Sequence, residues 1–334
     1  MQIYDVIIVG AGPAGCSAVI FSQSDKILII DQNQIPRKKP CGGILIEESV
    51  EFIKNMNPPD YIFEKPKNMD LRYIDLDNNV EAIQKRGFQN IDRTAFDLWL
   101  LKTAKNKAEI MEKTRVIDFY FHDEFFTIKT ENNGKKENVR SRFLIDATGA
   151  FSFSRTNKAH IYSAVQFSAN NDGRQTFDYI LYSKINDYYS WIIPKGERIV
   201  VGSAFSGGNI TEKILNFKKI ISDKFDINDF GPMEAAPITK PKKEEDICLA
   251  KNNCLIIGEA AGLISASTGD GISYALASGK NCAEAINRSN NNINNAIENY
   301  TKNSIEIVND VKEKIRRAEI FSDPQKRKKI LKKN

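Results

Sequence analysis

The stretch YDVIIVGAGPAG, residues 4–15, constrains this chain's fold more than any other. A short apolar run stops at Gly10, Gly12 and Gly15, and the small residues through Ser22 then suit a helix. A second apolar run, KILIID over residues 26–31, follows at once. Strand, glycine turn, helix and strand in about thirty residues is the opening of a dinucleotide-binding α/β sheet. Each glycine has its own reason: Gly10 permits the tight turn, Gly12 lets the backbone approach a pyrophosphate, and Gly15 lets helix and strand pack closely. Pro13 and Ala14 belong to the same turn, at a helix N-terminus whose free N–H groups and dipole favour phosphate.

Asp31 ends the second strand, 21 residues after Gly10, where a carboxylate can accept from ribose hydroxyls, and Gln32 follows it. An acid there repels a 2′-phosphate, so the resident dinucleotide is expected to be FAD or NAD rather than NADP. The later stretch IGEAAGLISASTGDGISYALASG, residues 257–279, separates these two. Gly258, Glu259 and Gly262 follow a strand, and Gly269 and Gly271 precede a helix. Their amides and carboxylate serve a ligand longer than the first turn holds, and FAD has that length.

Composition narrows the alternatives. The chain has 334 residues, 41% of them hydrophobic and 27% charged, as a globular protein with a buried core does. No apolar run reaches the roughly 18 residues of a membrane span. Without a basic segment ahead of the first apolar run, a signal peptide is not expected and the protein is read as cytoplasmic. Five cysteines are scattered, and two histidines are too few to expect a zinc or non-haem iron site, so no metal is assigned. The net charge of +5 is a tail property, since residues 312–334 carry ten Lys/Arg against three Asp/Glu. Such a tail suits either a solvated helix end or peripheral contact with an anionic membrane surface. Nucleic-acid binding is not expected, because no aromatic interleaving or reader motif accompanies the charge.

Further along, residues 67–90 alternate around a DLDNN turn, and Asp92 can cap a helix that places Phe96, Leu100 and Ala104 on one face. Strand-like runs follow at 114–121 and 124–130, and the run ending at Asp146 returns to the first sheet. Residues 163–205 read as a second sheet, and 291–320 as helical.

Together, GAGPAG, PCGGIL, DRTAFDLWLL, DATGAFS, YYSWIIPKGERIVVG and GEAAGLISASTGDGISYAL resemble the geranylgeranyl reductase family of the para-hydroxybenzoate hydroxylase-like flavoproteins. The resemblance implies an α/β fold: a glutathione-reductase-like FAD-binding Rossmann domain, an inserted, mostly antiparallel β-sheet substrate domain and a helical C-terminus. The corresponding segments are 1–65, 92–156 and 246–290 for FAD, 66–91 and 157–245 for substrate, and 291–334 for the helical end with its basic tail. It also implies roles for single residues. Gly10, Gly12, Gly15 and Asp31 hold the ADP half of FAD, Arg93 reaches its phosphate and ribityl region, and Val116 meets the adenine through its backbone. Asp146 and Gly149 of DATGAFS join the cofactor site, and Glu259 stands where the family has an aspartate for the ribityl chain. Gly269 to Ile272, with Gly271 between, present amides to the pyrimidine edge of the flavin.

Gly42 and Gly43 let their backbone pass close to the isoalloxazine or the substrate. Cys41 beside them is either a small buried residue or a thiol near the flavin. Alternation puts Tyr189 and Trp191 on one strand face and Ser190 and Ile192 on the other, so the aromatics are either core or the wall of an apolar pocket. The resemblance assigns Tyr189, Trp191, Pro194 and Lys195 to the family's substrate-side strand and its turn. The family's C-terminal closure of a long prenyl tunnel is expected to be missing or replaced by the basic helix. SWIIP also resembles a segment of flavin-dependent halogenases. The implied activity is FAD-dependent reduction of carbon–carbon double bonds in a polyprenyl or other lipid-like substrate, with NAD(P)H or a small redox protein as a transient donor. A monooxygenase or halogenase of the same group, and a non-catalytic flavin-binding protein, are the alternatives.

Overall fold

The structure is a computed structural model that describes residues 2–155 and 160–331. Lys332 and Lys333 of the basic tail, and the segment boundary at 156–157, lie outside the described residues.

The chain begins with β1 (Ile3–Val9), α1 (Pro13–Phe21), β2 (Ile27–Ile30), β3 (Ile44–Leu45) and α2 (Glu47–Lys54). Then come β4 (Phe63–Asp75), β5 (Val80–Ile91), α3 (Arg93–Lys105), β6 (Ala108–Met111), β7 (Arg115–His122), β8 (Phe125–Asn132) and β9 (Lys135–Asp146). The middle holds β10 (Ile161–Asn170), β11 (Phe177–Leu181), β12 (Ser190–Lys195), β13 (Arg198–Phe205), α4 (Ile210–Phe225) and β14 (Met233–Thr239). It ends with β15 (Ala250–Lys251), β16 (Cys254–Ile256), α5 (Ile272–Asn287), α6 (Ile293–Asn303), α7 (Ile305–Phe321) and α8 (Pro324–Leu331).

Two sheets organise these elements. The first runs β15-β16-β9-β1-β2-β6, parallel from β16 to β6, with β7 and β8 attached as an antiparallel meander on β9. Its central strands are apolar on both faces: helices cover the face of Ile8 and Ile29, and the β7–β8 strands cover that of Ile7, Leu28 and Leu144 through Phe126 and Ile128. α1, α3 and α5 pack there around Ile8, Ile29, Phe96, Leu100 and Leu276. Phe96, Leu100 and Ala104 are all fully buried, and Asp92 caps α3 by accepting from the Ala95 N–H at 2.8 Å. α1 lies close to α5 because small residues meet there: a Cβ on Gly279 would stand 2.4 Å from the Ala14 carbonyl oxygen.

The second sheet runs β14-β10-β13-β12-β11-β4-β5-β3 and is antiparallel except where β11 pairs with β4. β3 lies within the first sixty-five residues yet joins this sheet, since Ile44 and Leu45 pair with Asn90 and Gln89 of β5. Period-two alternation divides its faces. Ile180, Ile192 and Val201 pack under Phe217 and Ile221 of α4, each such burial contributing about 2 kcal/mol. Tyr189, Trp191 and Ile193 point the other way, with Met69, Tyr179 and Leu181.

α7 fits between the sheets. Val311, Ile315 and Ala318 bury against Ile256, Ala260, Leu263 and Tyr274, which leaves its Asp310, Lys314 and Arg317 on a different face. The tail is not uniformly solvated. Arg327 of α8 is buried, its guanidinium bonded to Asp75 Oδ2 at 2.7 Å and Oδ1 at 3.1 Å and to Asp77 Oδ2 at 2.6 Å. No helix among the described residues is long and apolar enough to cross a membrane.

Candidate functional site

One cavity of about 1440 Å³ runs from the glycine turn after β1 to the aromatic face of the second sheet. Its first end is made by backbone. Gly10, Gly12, Pro13, Ala14, Asp31 and Gln32 line it. Gly10 has φ of 113°, and a Cβ there would stand 2.4 Å from the Ala147 carbonyl oxygen. Above Gly12 the space is open, the nearest atom to a Cβ being an Arg37 guanidinium nitrogen at 3.6 Å. α1 starts at Gly12 without a side-chain cap, so its first N–H groups face that space. Asp31 is buried, accepting from the Ala11 N–H at 2.9 Å through one oxygen and from the Asn33 N–H at 2.9 Å through the other. Arg37, with Nε 3.8 Å from Asp31 Oδ2, brings a cation to the same place. The sequence reading passed over it because it sits in a loop without periodicity. An open volume over an uncapped helix N-terminus, with a carboxylate and a guanidinium beside it, fits the phosphates and ribose of a dinucleotide.

Val116 and Gly149 also line the cavity, as do Cys41, Gly42, Gly43, Arg93, Glu259, Gly269, Gly271, Ile272, Tyr189 and Trp191. Four residues expected at the cofactor do not, and stand behind the wall. Gly15 provides close packing, its Cβ position lying 2.0 Å from the Gly10 carbonyl oxygen. Gly258 and Gly262 have φ of 61° and 77° and would clash with the Ala14 Cβ and the Asp246 carbonyl oxygen. Asp146 is fully buried and folds its own turn, accepting from Thr148 Oγ1 at 2.6 Å, Ser152 Oγ at 2.6 Å and Ser154 Oγ at 2.7 Å.

Glu259 joins the two sheets: Oε1 accepts from the Thr239 N–H at 2.8 Å and Oε2 lies 3.6 Å from Lys39 Nζ. Arg93 is held by Asp97 at 2.7 and 3.2 Å and lines the cavity with Cys41, whose sulfur accepts from the Gly43 N–H at 3.4 Å. The close approaches of the CGG loop are to the protein itself, although both glycines also line the cavity. A Cβ on Gly42 would be 2.7 Å from Ile193 Cδ1, and one on Gly43, whose φ is 65°, would be 2.3 Å from the Ile91 carbonyl oxygen.

The other end of the cavity is made by side chains. Tyr179 stacks on Tyr189 at 4.3 Å and 17°, with Tyr73 beyond it at 6.2 Å and 14°, and Trp191 tilts against Tyr189 at 5.7 Å. The phenols are committed: Tyr179 donates to the Ser267 carbonyl at 2.7 Å and Tyr189 to the Thr268 carbonyl at 2.5 Å. Burial pushes the Tyr179 and Tyr189 phenols far above their usual range, so both stay protonated and able to donate. Tyr189 is therefore a brace for the Ser267–Gly271 loop as well as a wall. Between the two glycines of that loop, Asp270 accepts from Ser273 Oγ, and burial lifts its carboxyl to about 6. In the sequence Asp270 enters only within the Gly269 to Ile272 run of amides, with no role for its carboxyl. The sequence reading also missed the cavity wall that α7 supplies through Asp310, Lys314, Arg317 and Phe321.

Residues 4–221 match the family described as pyridine nucleotide-disulphide oxidoreductase. The chain belongs to that family. It is an FAD-dependent oxidoreductase, and the cavity's first end fits the cofactor as described. Protein CbrA of Escherichia coli O6:H1 is 27% identical over 317 residues, covering 90% of this chain and 86% of its own. A geranylgeranyl bacteriochlorophyll reductase-like protein from Thermoplasma acidophilum superposes with a TM-score of 0.82 at 21% identity, over 96% of this chain and 88% of that one. CmlS, a flavin-dependent halogenase, does so with a TM-score of 0.73 at 17% identity, over 94% of this chain and 63% of its own. At these identities the two structural likenesses show the fold.

Proposed function

We propose that this protein reduces carbon–carbon double bonds of an apolar, lipid-like substrate. The observation that carries the reading is the second end of the cavity, where stacked aromatic rings with committed phenols continue from the FAD end without a break. When bound, FAD supplies two-electron transfer. The chain's own residues do the rest. Gly10 to Ala14 and Asp31 bind the nucleotide, and the loop braced by Tyr179 and Tyr189 orients the amides of Gly269 to Ile272 toward the cavity. The rings of Tyr73, Tyr189 and Trp191 exclude water and receive an unsaturated chain. Cys41 and Asp270 bring protons to the wall, and the Asp270 carboxyl exchanges its proton near neutral pH. The electron donor is taken to be NAD(P)H or a small redox protein that docks transiently.

The likeness to a geranylgeranyl reductase-like structure supports this reading, and the likeness to a halogenase supplies the alternative to test. The FAD-loaded protein, reduced without oxygen by dithionite, is mixed with polyprenyl lipids and the products are weighed by mass spectrometry. Products heavier by two hydrogens per double bond are expected. Conversion only after oxygen is admitted, with an oxygen or halogen atom in the product, would overturn the reading.

A further inference from the structure

Lys195 takes no part in the chemistry above, yet its surroundings are closely specified. Its Nζ donates to the Asn90 Oδ1 at 2.5 Å, the Ile91 carbonyl at 2.8 Å and the Gly43 carbonyl at 3.4 Å. An ammonium has three N–H donors and a neutral amine two, so these three acceptors are all satisfied only by the charged form. Asn90 closes the arrangement by donating from Nδ2 to the Pro194 carbonyl at 2.8 Å. A Cβ on Gly43 would lie 2.7 Å from Nζ, so the approach requires glycine there. The ionisable groups facing the ammonium are Cys41 from the loop, Glu64 from β4 and Asp92 at the head of α3. Lys195 stands directly behind Gly42, Gly43 and Ile193, which form the cavity wall.

We propose that Lys195 is a positioning residue: as an ammonium with three acceptors it clamps the Cys41–Gly43 loop against the FAD cavity and sets a positive charge behind it. The clamp's relation to FAD rests on the functional reading above; the clamp itself does not. Burial pulls the ammonium down to about 8, so the clamp is complete at neutral pH and loses a donor as pH rises through that value.

The test is the rate at which iodoacetamide alkylates Cys41 in the FAD-free full chain. A Cys248→Ser background is used, because Cys248 is the other half-exposed thiol while Cys16, Cys254 and Cys282 are buried. Rates are compared between Lys195, Lys195→Met and Lys195→Arg from about pH 6.5 to about pH 9.5, each divided by that variant's own Cys41 thiolate fraction, read from thiolate absorbance. Near the low end, Lys195→Met is expected to react about tenfold faster than the parent, and the two to converge at the high end. Lys195→Arg, whose charge persists, is expected to stay slow throughout. Equal rates for Lys195 and Lys195→Met at low pH would overturn the proposal. Should Lys195→Met fail to fold, the parent must still gain on Lys195→Arg above pH 8, and parallel curves would be equally fatal. The same variant is expected to bind FAD about tenfold more weakly at neutral pH. Alkylation needs no FAD, so a chain that bound none would sink the functional reading and leave the clamp to be judged by its own curves.

Discussion

The two ends of the cavity are built in opposite ways. At the first sheet, side chains are removed so that backbone amides reach the ligand: Gly10, Gly12 and an uncapped helix do the work. At the second sheet, side chains are added, and three stacked tyrosines and a tryptophan from β4, β11 and the start of β12 make the wall, with α7 opposite. The difference shows where chemistry and specificity are separable. A backbone cradle tolerates almost no variation, because its contacts depend on the absence of atoms. A side-chain wall is open to change one residue at a time, which suits a fold that structural relatives share across a reductase-like protein and a halogenase.

The sharpest way to break this contrast lies within the cradle. Gly10→Ala forces a Cβ into the Ala147 carbonyl oxygen at φ 113° and is expected to destabilise the fold by about 4 kcal/mol and abolish FAD uptake. Gly12→Ala has an ordinary φ of −79° and open space around it. It should leave stability within about 1 kcal/mol and act on FAD affinity alone. Denaturant unfolding of the two FAD-free variants decides the matter. Equal losses would mean that the cradle is rigid packing throughout, not a ligand surface with one structural corner.

At the other end the comparable point is Arg327, which ties α8 to the β4–β5 turn. Arg327→Met leaves the buried Asp75 carboxylate without its cation and is expected to cost about 3 kcal/mol, read as a lowered denaturant midpoint. The pair also has a pH signature. Burial raises the Asp75 carboxyl, but Arg327 and Asn78 outweigh it and hold the group below its usual range. The contribution is thus complete above the unfolded value of about 4 and is lost as pH falls through the lower folded one. Arg327→Met should flatten that part of the acid-stability curve while leaving FAD affinity nearly intact. A large loss of FAD affinity instead would show that the two ends are not separable.

How much of this was legible follows from the same contrast. The cradle could be read from twelve residues because its parts are local and its reason is steric. The face carrying Tyr189 and Trp191 was legible from alternation alone, with Ser190 and Ile192 opposite as expected. Glycine spacing, however, does not distinguish contact with a ligand from contact with another strand. Gly258 and Gly262, expected at the cofactor, show this by their close contacts with protein atoms, while Gly15 makes the helix–strand contact expected of it. Asp146 is a related case: a carboxylate after a strand suits a ribose and equally suits the hydroxyls of its own turn, and in the structure those hydroxyls engage it. The α7 wall and the Arg327–Asp75 pair, 252 residues apart, had no local signal, since nothing in a basic tail says which of its charges will be buried.

The smallest expected effect is the one that best joins the two regions. Tyr189→Phe removes only the phenol that donates to the Thr268 carbonyl, leaving the stacked ring in place. The loss in stability should be about 1 kcal/mol, the usual net worth of such a bond. If Tyr189 were wall alone, turnover would otherwise stay as it was. If it braces the Ser267–Gly271 loop, the amides proposed to face FAD gain freedom, and the visible spectrum of the bound cofactor should shift although the ring is unchanged. Tyr179→Phe releases the neighbouring carbonyl of Ser267 and should do the same. Because both bonds hold one loop, the double variant should fall short of the summed spectral effects. Additive shifts would place the two tyrosines in separate roles and return Tyr189 to the wall.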